Sequence, residues 1–201
     1  GKMSSDINDI GLSRGTILRH VNDSLMRLGT DYIDVLFLHF PDYQTDIETI
    51  IYTMDVLIRD GKIRHYGISN FPAWKACSIV HKARELHMPE PVVTENPYNI
   101  VTRSLDDELL PFIQEYGIAL ITHNPLAGGL LTGKHRHGKL AENTRFTRDA
   151  GYAKRYATKA NNEAMDVIVE AANLEGVTPV QLAYQWLLSK GYITSVICGI
   201  S

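Results

Sequence analysis

A histidine closes the apolar run from Tyr32 to His39, and Phe40-Pro41-Asp42 follow it. Polar groups close further strand-like runs: Gly67-Ile68-Ser69-Asn70, Thr94-Glu95 and Thr122-His123-Asn124. An imidazole, a hydroxyl, an amide and a carboxylate are groups that exchange protons and hydrogen bonds. In a barrel of parallel strands, the carboxyl ends of the strands are where chemistry sits. The recurrence of polar groups at successive exits therefore points to one shared mouth. Taken alone, His39 reads as a histidine satisfied at a strand end; its neighbours turn the reading toward a site. Ser69-Asn70 alone reads equally as a turn or cap before the helix that Pro72 opens.

These groups need elements to hold them. Ser13 predicts a helix through Leu28, with Ile17, Val21, Leu25 and Leu28 on one face and Gly29 as its stop. Thr45-Asp46-Ile47-Glu48 reads as a capping box for a helix running to Asp60. A strand is expected at about 63–68, a helix near 72–87 and a strand at Val92-Val93-Thr94. Ser104 reads as the opening of a helix that Gly117 stops, with Asp106, Asp107 and Glu108 in its first turn. Ile118–Thr122 is the next strand. Residues 125–158 hold five glycines and no clear period, the signature of a functional or mobile loop. Helices near 159–174 and 179–190 follow, the second with a Thr178/Gln181 capping box, and Ser195–Gly199 is the last strand. Alternating strands and helices predict an α/β fold with a parallel sheet. No Gly-x-Gly-x-x-Gly turn follows a strand, which weakens the doubly wound alternative. Five strands against the eight of a closed barrel lead us to expect missing parts at both ends.

Composition narrows the classes. The chain has 201 residues, 44% hydrophobic and 21% charged, with a formal net charge of -3, and a pI near 6.2. One domain is expected, with no sign of a nucleic-acid partner. Cys77 and Cys198 are too few for a disulfide framework and favour a reducing compartment. No run approaches membrane-spanning length and no signal segment opens the chain, so the expected setting is cytoplasmic.

Several segments in order resemble the aldo-keto reductase superfamily. They are Gly11–Arg14, Ser24–Asp34, His39–Asp42, Gly67–Phe71, Asn96–Asn99, Asn124–Lys134 and Thr178–Ala183. The chain looks most like the branch that includes bacterial reductases and potassium-channel β-subunits. The resemblance implies a (β/α)8 TIM-type barrel, incomplete here, as a single partial domain over 1–201 with a cofactor and substrate loop at about 125–158. It implies NADP(H)-dependent reduction of an aldehyde or ketone, so the expected partner is a small carbonyl compound. Of the family's Asp, Tyr, Lys and His tetrad only the histidine maps, onto His39. The Asp, Tyr and Lys are expected before Gly1, since Lys2 falls in the loop after the Lys-bearing strand. The 2′-phosphate and adenine contacts are expected beyond Ser201. Such a piece would expose two sheet edges, and so is expected to be poorly soluble, to pair with another copy, or to derive from a longer chain.

The resemblance also implies roles. His39 would orient the substrate carbonyl and support the proton donor. Ser69 and Asn70 would bond the nicotinamide carboxamide, for which Asn offers both a donor and an acceptor. Glu95 stands where the family usually has Gln; an ionised carboxylate accepts only, and would favour the oxidised, positively charged ring. The bland alternative is a salt-bridged carboxylate. His123 stands in place of a Tyr that stacks on the nicotinamide; an imidazole that charges near neutral pH would weaken cofactor binding in mild acid. Asn124 and the Leu126–Lys134 segment, with Gly128 letting the backbone approach and Lys134 supplying charge, would wrap the pyrophosphate, and Arg145 would add a second basic contact. Tyr43, Tyr98, Tyr152 and Tyr156 would line the mouth or pack its rim. His135 and His137 lack a third metal ligand nearby. A non-catalytic nicotinamide-binding regulatory subunit, or a barrel remnant without ligand, are the alternatives to an enzyme.

Overall fold

Ser13 opens the first helix as expected. In the computed structural model, which describes residues 10–135 and 141–199, Ser13 Oγ accepts the Thr16 amide at 3.3 Å at the head of α1 (Arg14–Leu28). Gly29 ends α1 at φ 66°, a left-handed conformation that glycine adopts without strain. Lys2 and His137 lie outside the described residues. The next elements are β1 (Ile33–Leu38), α2 (Ile47–Arg59), β2 (Ile63–Ser69), α3 (Ala73–Glu85), β3 (Val93–Pro97), α4 (Leu109–Tyr116) and β4 (Ala119–His123). A 3₁₀ segment (Ala127–Thr132), α5 (Arg145–Arg148), α6 (Ala150–Tyr156), α7 (Lys159–Leu174), α8 (Pro179–Leu188) and β5 (Ser195–Val196) complete the described chain.

The strands order as β1-β2-β3-β4-β5, with no reversal. The pairs β1 with β2, β2 with β3, and β4 with β5 are parallel. A doubly wound sheet reverses its order at a switch point, where its ligand sits; these five strands have none. Winding in one direction with crossover helices is an α/β fold consistent with part of a (β/α)8 barrel. Close strand approach is built in at Gly67, where a Cβ would stand 2.7 Å from Val93 Cγ1 and 2.8 Å from Phe37.

The chain divides into two compact units: residues 1–96 with 107–120, and residues 97–106 with 121–201. Strands β3 and β4 each run from the first into the second. The first unit buries Leu38, Ile50, Ile51, Met54, Leu57, Ile68 and Ile79 in one core. Each exclusion of such a side chain from water stabilises the fold by roughly 1.5–3 kcal/mol. The second unit buries Leu130, Leu131, Phe146, Tyr156, Met165 and Ala183.

Four local expectations are corrected. The cap of α2 is Asp46, which makes no side-chain cap bond; Thr45 Oγ1 donates to Asp42 Oδ2 at 2.6 Å instead, because a carboxylate is the stronger acceptor. Residues 104–108 are turns, and α4 starts at Leu109: the Asp106 carboxylate is taken by Tyr98 and Arg103 rather than by the helix N-terminus. The stretch from 125 to 158 carries the 3₁₀ segment, α5 and α6, all too short to print a hydrophobic period. The last strand is two residues long rather than five. The Thr178/Gln181 capping box is present, with Gln181 Oε1 accepting from the Thr178 amide at 2.8 Å and Thr178 Oγ1 from that of Gln181 at 3.2 Å. Among the described residues no helix is long and apolar enough to cross a membrane.

Candidate functional site

In the first unit, register brings three polar groups level. Leu38 pairs with Ile68, Ile68 with Thr94, and Ser69 with Glu95, so His39 and Ser69 stand at their strand exits abreast of Glu95, which lies inside β3. His39 is exposed, its ring stacked on Phe40 at 4.7 Å. Ser69 is buried at 1% exposure. Asn70 follows it at φ 59°, a conformation that Asn tolerates better than most residues.

Hydrogen bonds fix Asn70 on three sides. Its amide nitrogen Nδ2 donates to the His39 carbonyl at 3.0 Å and to Ser69 Oγ at 2.9 Å. The His39 carbonyl can only accept, which settles which way the side-chain amide points. Its backbone N–H donates to Asn96 Oδ1 at 3.1 Å, and Asn96 Nδ2 donates to Thr94 Oγ1 at 2.7 Å. Asn96 is 3% exposed. The expectation that Asn70 offers both donor and acceptor is therefore corrected. Its two Nδ2 hydrogens are committed inside the protein, and Oδ1 is what it presents. Ser69 Oγ receives one of those hydrogens and keeps its own to donate. A hydroxyl donor beside an amide acceptor complements a primary carboxamide, which has one acceptor and two N–H groups. Half-buried Glu95 lies next to this pair.

Asp42 anchors the loop after His39, a role the sequence reading missed. Its carboxylate accepts from the Leu12 amide at 2.7 Å, the Gln44 amide at 2.8 Å, the Thr45 amide at 3.4 Å and the Thr45 hydroxyl. Burial pushes its pKa up, but these hydrogen bonds together outweigh burial and hold it below the ordinary 3.8. The turn from Asp42 to Gln44 is a local signal. The bond to Leu12, thirty residues away, is not.

In the second unit, Thr122 is fully buried near the end of β4 and half-buried His123 closes the strand. Asn124 follows at φ 60°. Its Oδ1 accepts from the Gly128 amide at 2.7 Å and its Nδ2 donates to Tyr156 Oη at 2.5 Å. Its carbonyl accepts from Asn99 Nδ2 at 2.9 Å. Asn124 thus clamps the turn that follows, using both ends of its amide. That turn is left-handed at Ala127, Gly128 and Gly129, with φ of 50°, 68° and 110°. Half-buried Leu126 closes it through its carbonyl, which accepts from Gly129 at 2.9 Å and Leu131 at 3.2 Å. A Cβ on Gly128 would meet the Tyr152 ring at 2.7 Å, and one on Gly129 would meet Lys134 Cε at 3.5 Å. Lys134 and Arg145 are exposed cations beside this turn, Arg145 lying over the Tyr152 ring at 4.5 Å.

In the sequence, His135 stands out only as half of a weak metal pair. It is 2% exposed and stacked on Phe146 at 4.4 Å. Burial first, and the Lys134 charge second, lower its pKa below 6.5. Among the described residues no group of three His, Cys, Asp or Glu side chains is placed to hold a metal. Tyr98 and Tyr156 are core residues rather than lining: Tyr98 donates to Asp106 at 2.6 Å, shares a 3.0 Å hydroxyl contact with Tyr192 and packs on Trp186. Tyr43 is exposed, beside Trp74 and Lys75.

The chain is similar in sequence to several known proteins. The chain is 35% identical over 199 residues to a putative voltage-gated potassium channel subunit beta of Schizosaccharomyces pombe, covering 96% of this chain and 58% of that protein. It is 36% identical over 200 residues to a probable voltage-gated potassium channel subunit beta of Arabidopsis thaliana, covering 96% and 60%. It is 31% identical over 196 residues to L-glyceraldehyde 3-phosphate reductase of Escherichia coli, covering 95% and 56%. The chain thus spans about three fifths of the length of the curated relatives it matches. The model of the aldo/keto reductase family matches residues 2–201. By that match the chain belongs to the aldo/keto reductase family, a family of oxidoreductases.

Proposed function

We propose that this chain supplies part of the nicotinamide cofactor and substrate site of an NADP(H)-dependent aldo-keto reductase acting on a small aldehyde or ketone. The observation that carries the reading is the Ser69–Asn70 pair, one donor and one acceptor held at a strand exit and matched to a carboxamide. The bound cofactor supplies or accepts the hydride. His39, level with Ser69, donates a hydrogen bond to the substrate carbonyl oxygen and stabilises the charge that develops there. Gly129 puts no side chain between its backbone and Lys134, and Lys134 and Arg145 give this turn positive charge for a diphosphate. His123 stacks on the nicotinamide ring. Ionised Glu95 attracts the ring when it is oxidised and positive, so it favours NADP⁺. Free thiols at Cys77 and Cys198 suit a reducing cytoplasmic setting. Strands β1 and β5 close the sheet order at its two edges, where copies of the chain would pair.

Isothermal titration of the 201-residue chain with NADPH and NADP⁺ tests this. Both should bind. Asn70→Ala should weaken both by about tenfold, the scale of one well-placed hydrogen bond. Glu95→Gln should shift the affinity ratio toward NADPH. Absence of binding would overturn the proposal. A second reading, a regulatory subunit that binds the nicotinamide without turnover, is favoured by the names of the fission-yeast and plant relatives. Binding without oxidation of NADPH by any tested aldehyde would select it.

A further inference from the structure

We propose that His135 is a fixed hydrogen-bond donor to a phosphate oxygen, its Nε2–H facing the same space over Gly129 as the Lys134 ammonium. This rests on the dinucleotide reading above and adds a ligand to it. The tautomer follows from one contact. His135 Nδ1 accepts the Ala141 backbone N–H at 3.2 Å, so its lone pair is engaged and the proton of a neutral ring sits on Nε2. Burial and the adjacent Lys134 keep the ring neutral. Stacking on Phe146, with 21° between the ring planes, fixes its orientation.

Nε2 is enclosed and has no hydrogen-bond partner among the described residues. A buried N–H without a partner is costly, and such groups are normally satisfied. The space it faces is identifiable. A Cβ on Gly129 would stand 3.8 Å from His135 Nε2, 3.5 Å from Lys134 Cε and 3.9 Å from Lys134 Nζ. Both donors therefore approach one point above a residue that has no side chain, and whose φ of 110° excludes most others. Lys134 is exposed, so its ammonium can meet an anion arriving at that point. Two donors, one cationic, on a single point select an anionic oxygen over a neutral carbonyl.

Long-range proton–nitrogen spectra of the histidine-labelled chain test the inference. His135 should show the Nε2–H tautomer, and inorganic pyrophosphate or NADPH should shift its Nε2 resonance. His135→Phe keeps an aromatic ring against Phe146 and removes the donor. It should weaken pyrophosphate and NADPH binding about tenfold, while His135→Gln, which restores an N–H, recovers part of the loss. Circular dichroism checks that both variants fold. An Nδ1–H tautomer, an unmoved Nε2 resonance, or wild-type affinity in both variants overturns the role of His135. Failure of the chain to bind NADPH overturns the dinucleotide reading instead. The pyrophosphate shift then decides His135 alone, sustaining it if present and ending it if absent.

Discussion

Asn96 decides what Asn70 presents. Its Oδ1 holds the Asn70 amide in a left-handed conformation, and its own Nδ2 is buried against Thr94. Without it, Asn70 would be free to relax to the more common right-handed or extended backbone, and the Ser69–Asn70 pair would lose its aim. Asn96→Ala should cost about 1–2 kcal/mol of stability and weaken NADPH binding, whereas Asn96→Asp, which keeps the acceptor, should retain most of the affinity. Thermal melts alongside titration separate the two effects; unchanged affinity in the alanine variant would show that Asn96 only supports the fold. Ser69 and Asn70 were legible in the sequence because they close a strand. Asn96 was not, since its partner lies 26 residues away and no spacing rule links them. The same blindness applies to Asn124, whose amide reads as a ligand and is a clamp.

Elements were legible where local chemistry decides them. Ser13, Gly29, Gly117 and the Thr178/Gln181 box all act within one turn, and the structure shows each. Elements failed where a competing side chain took the capping group, as Asp42 takes Thr45 and as Tyr98 and Arg103 take Asp106. The Asp42 loop carries a pH prediction. Its carboxyl is held below 3.8 in the folded chain, so the unfolded chain binds the proton more readily. The stabilisation is complete above that unfolded value and is lost as pH falls through the folded one. Denaturant midpoints for the wild type should therefore drop between about pH 5 and pH 2, and Asp42→Asn should begin less stable and lose that part of the drop. Parallel pH curves for the two proteins would contradict this.

The strand order makes the barrel reading one about the whole molecule. Sequence alone left an open doubly wound sheet as an alternative. Five strands that never reverse remove it, which no window of residues could show, because order is set by pairing between distant segments. Two strands, β3 and β4, are divided between the compact units, and the chain has two tryptophans, one in each: Trp74 in the first and Trp186 in the second. Trp74 is mostly exposed, while Trp186 is partly shielded against Tyr98. Each unit thus carries its own optical label, with a redder emission expected from the first. In single-tryptophan variants, Trp186→Phe should leave the redder emission of Trp74 and Trp74→Phe the bluer emission of Trp186. Equal emission wavelengths in the two variants would mean that water reaches both indole rings alike.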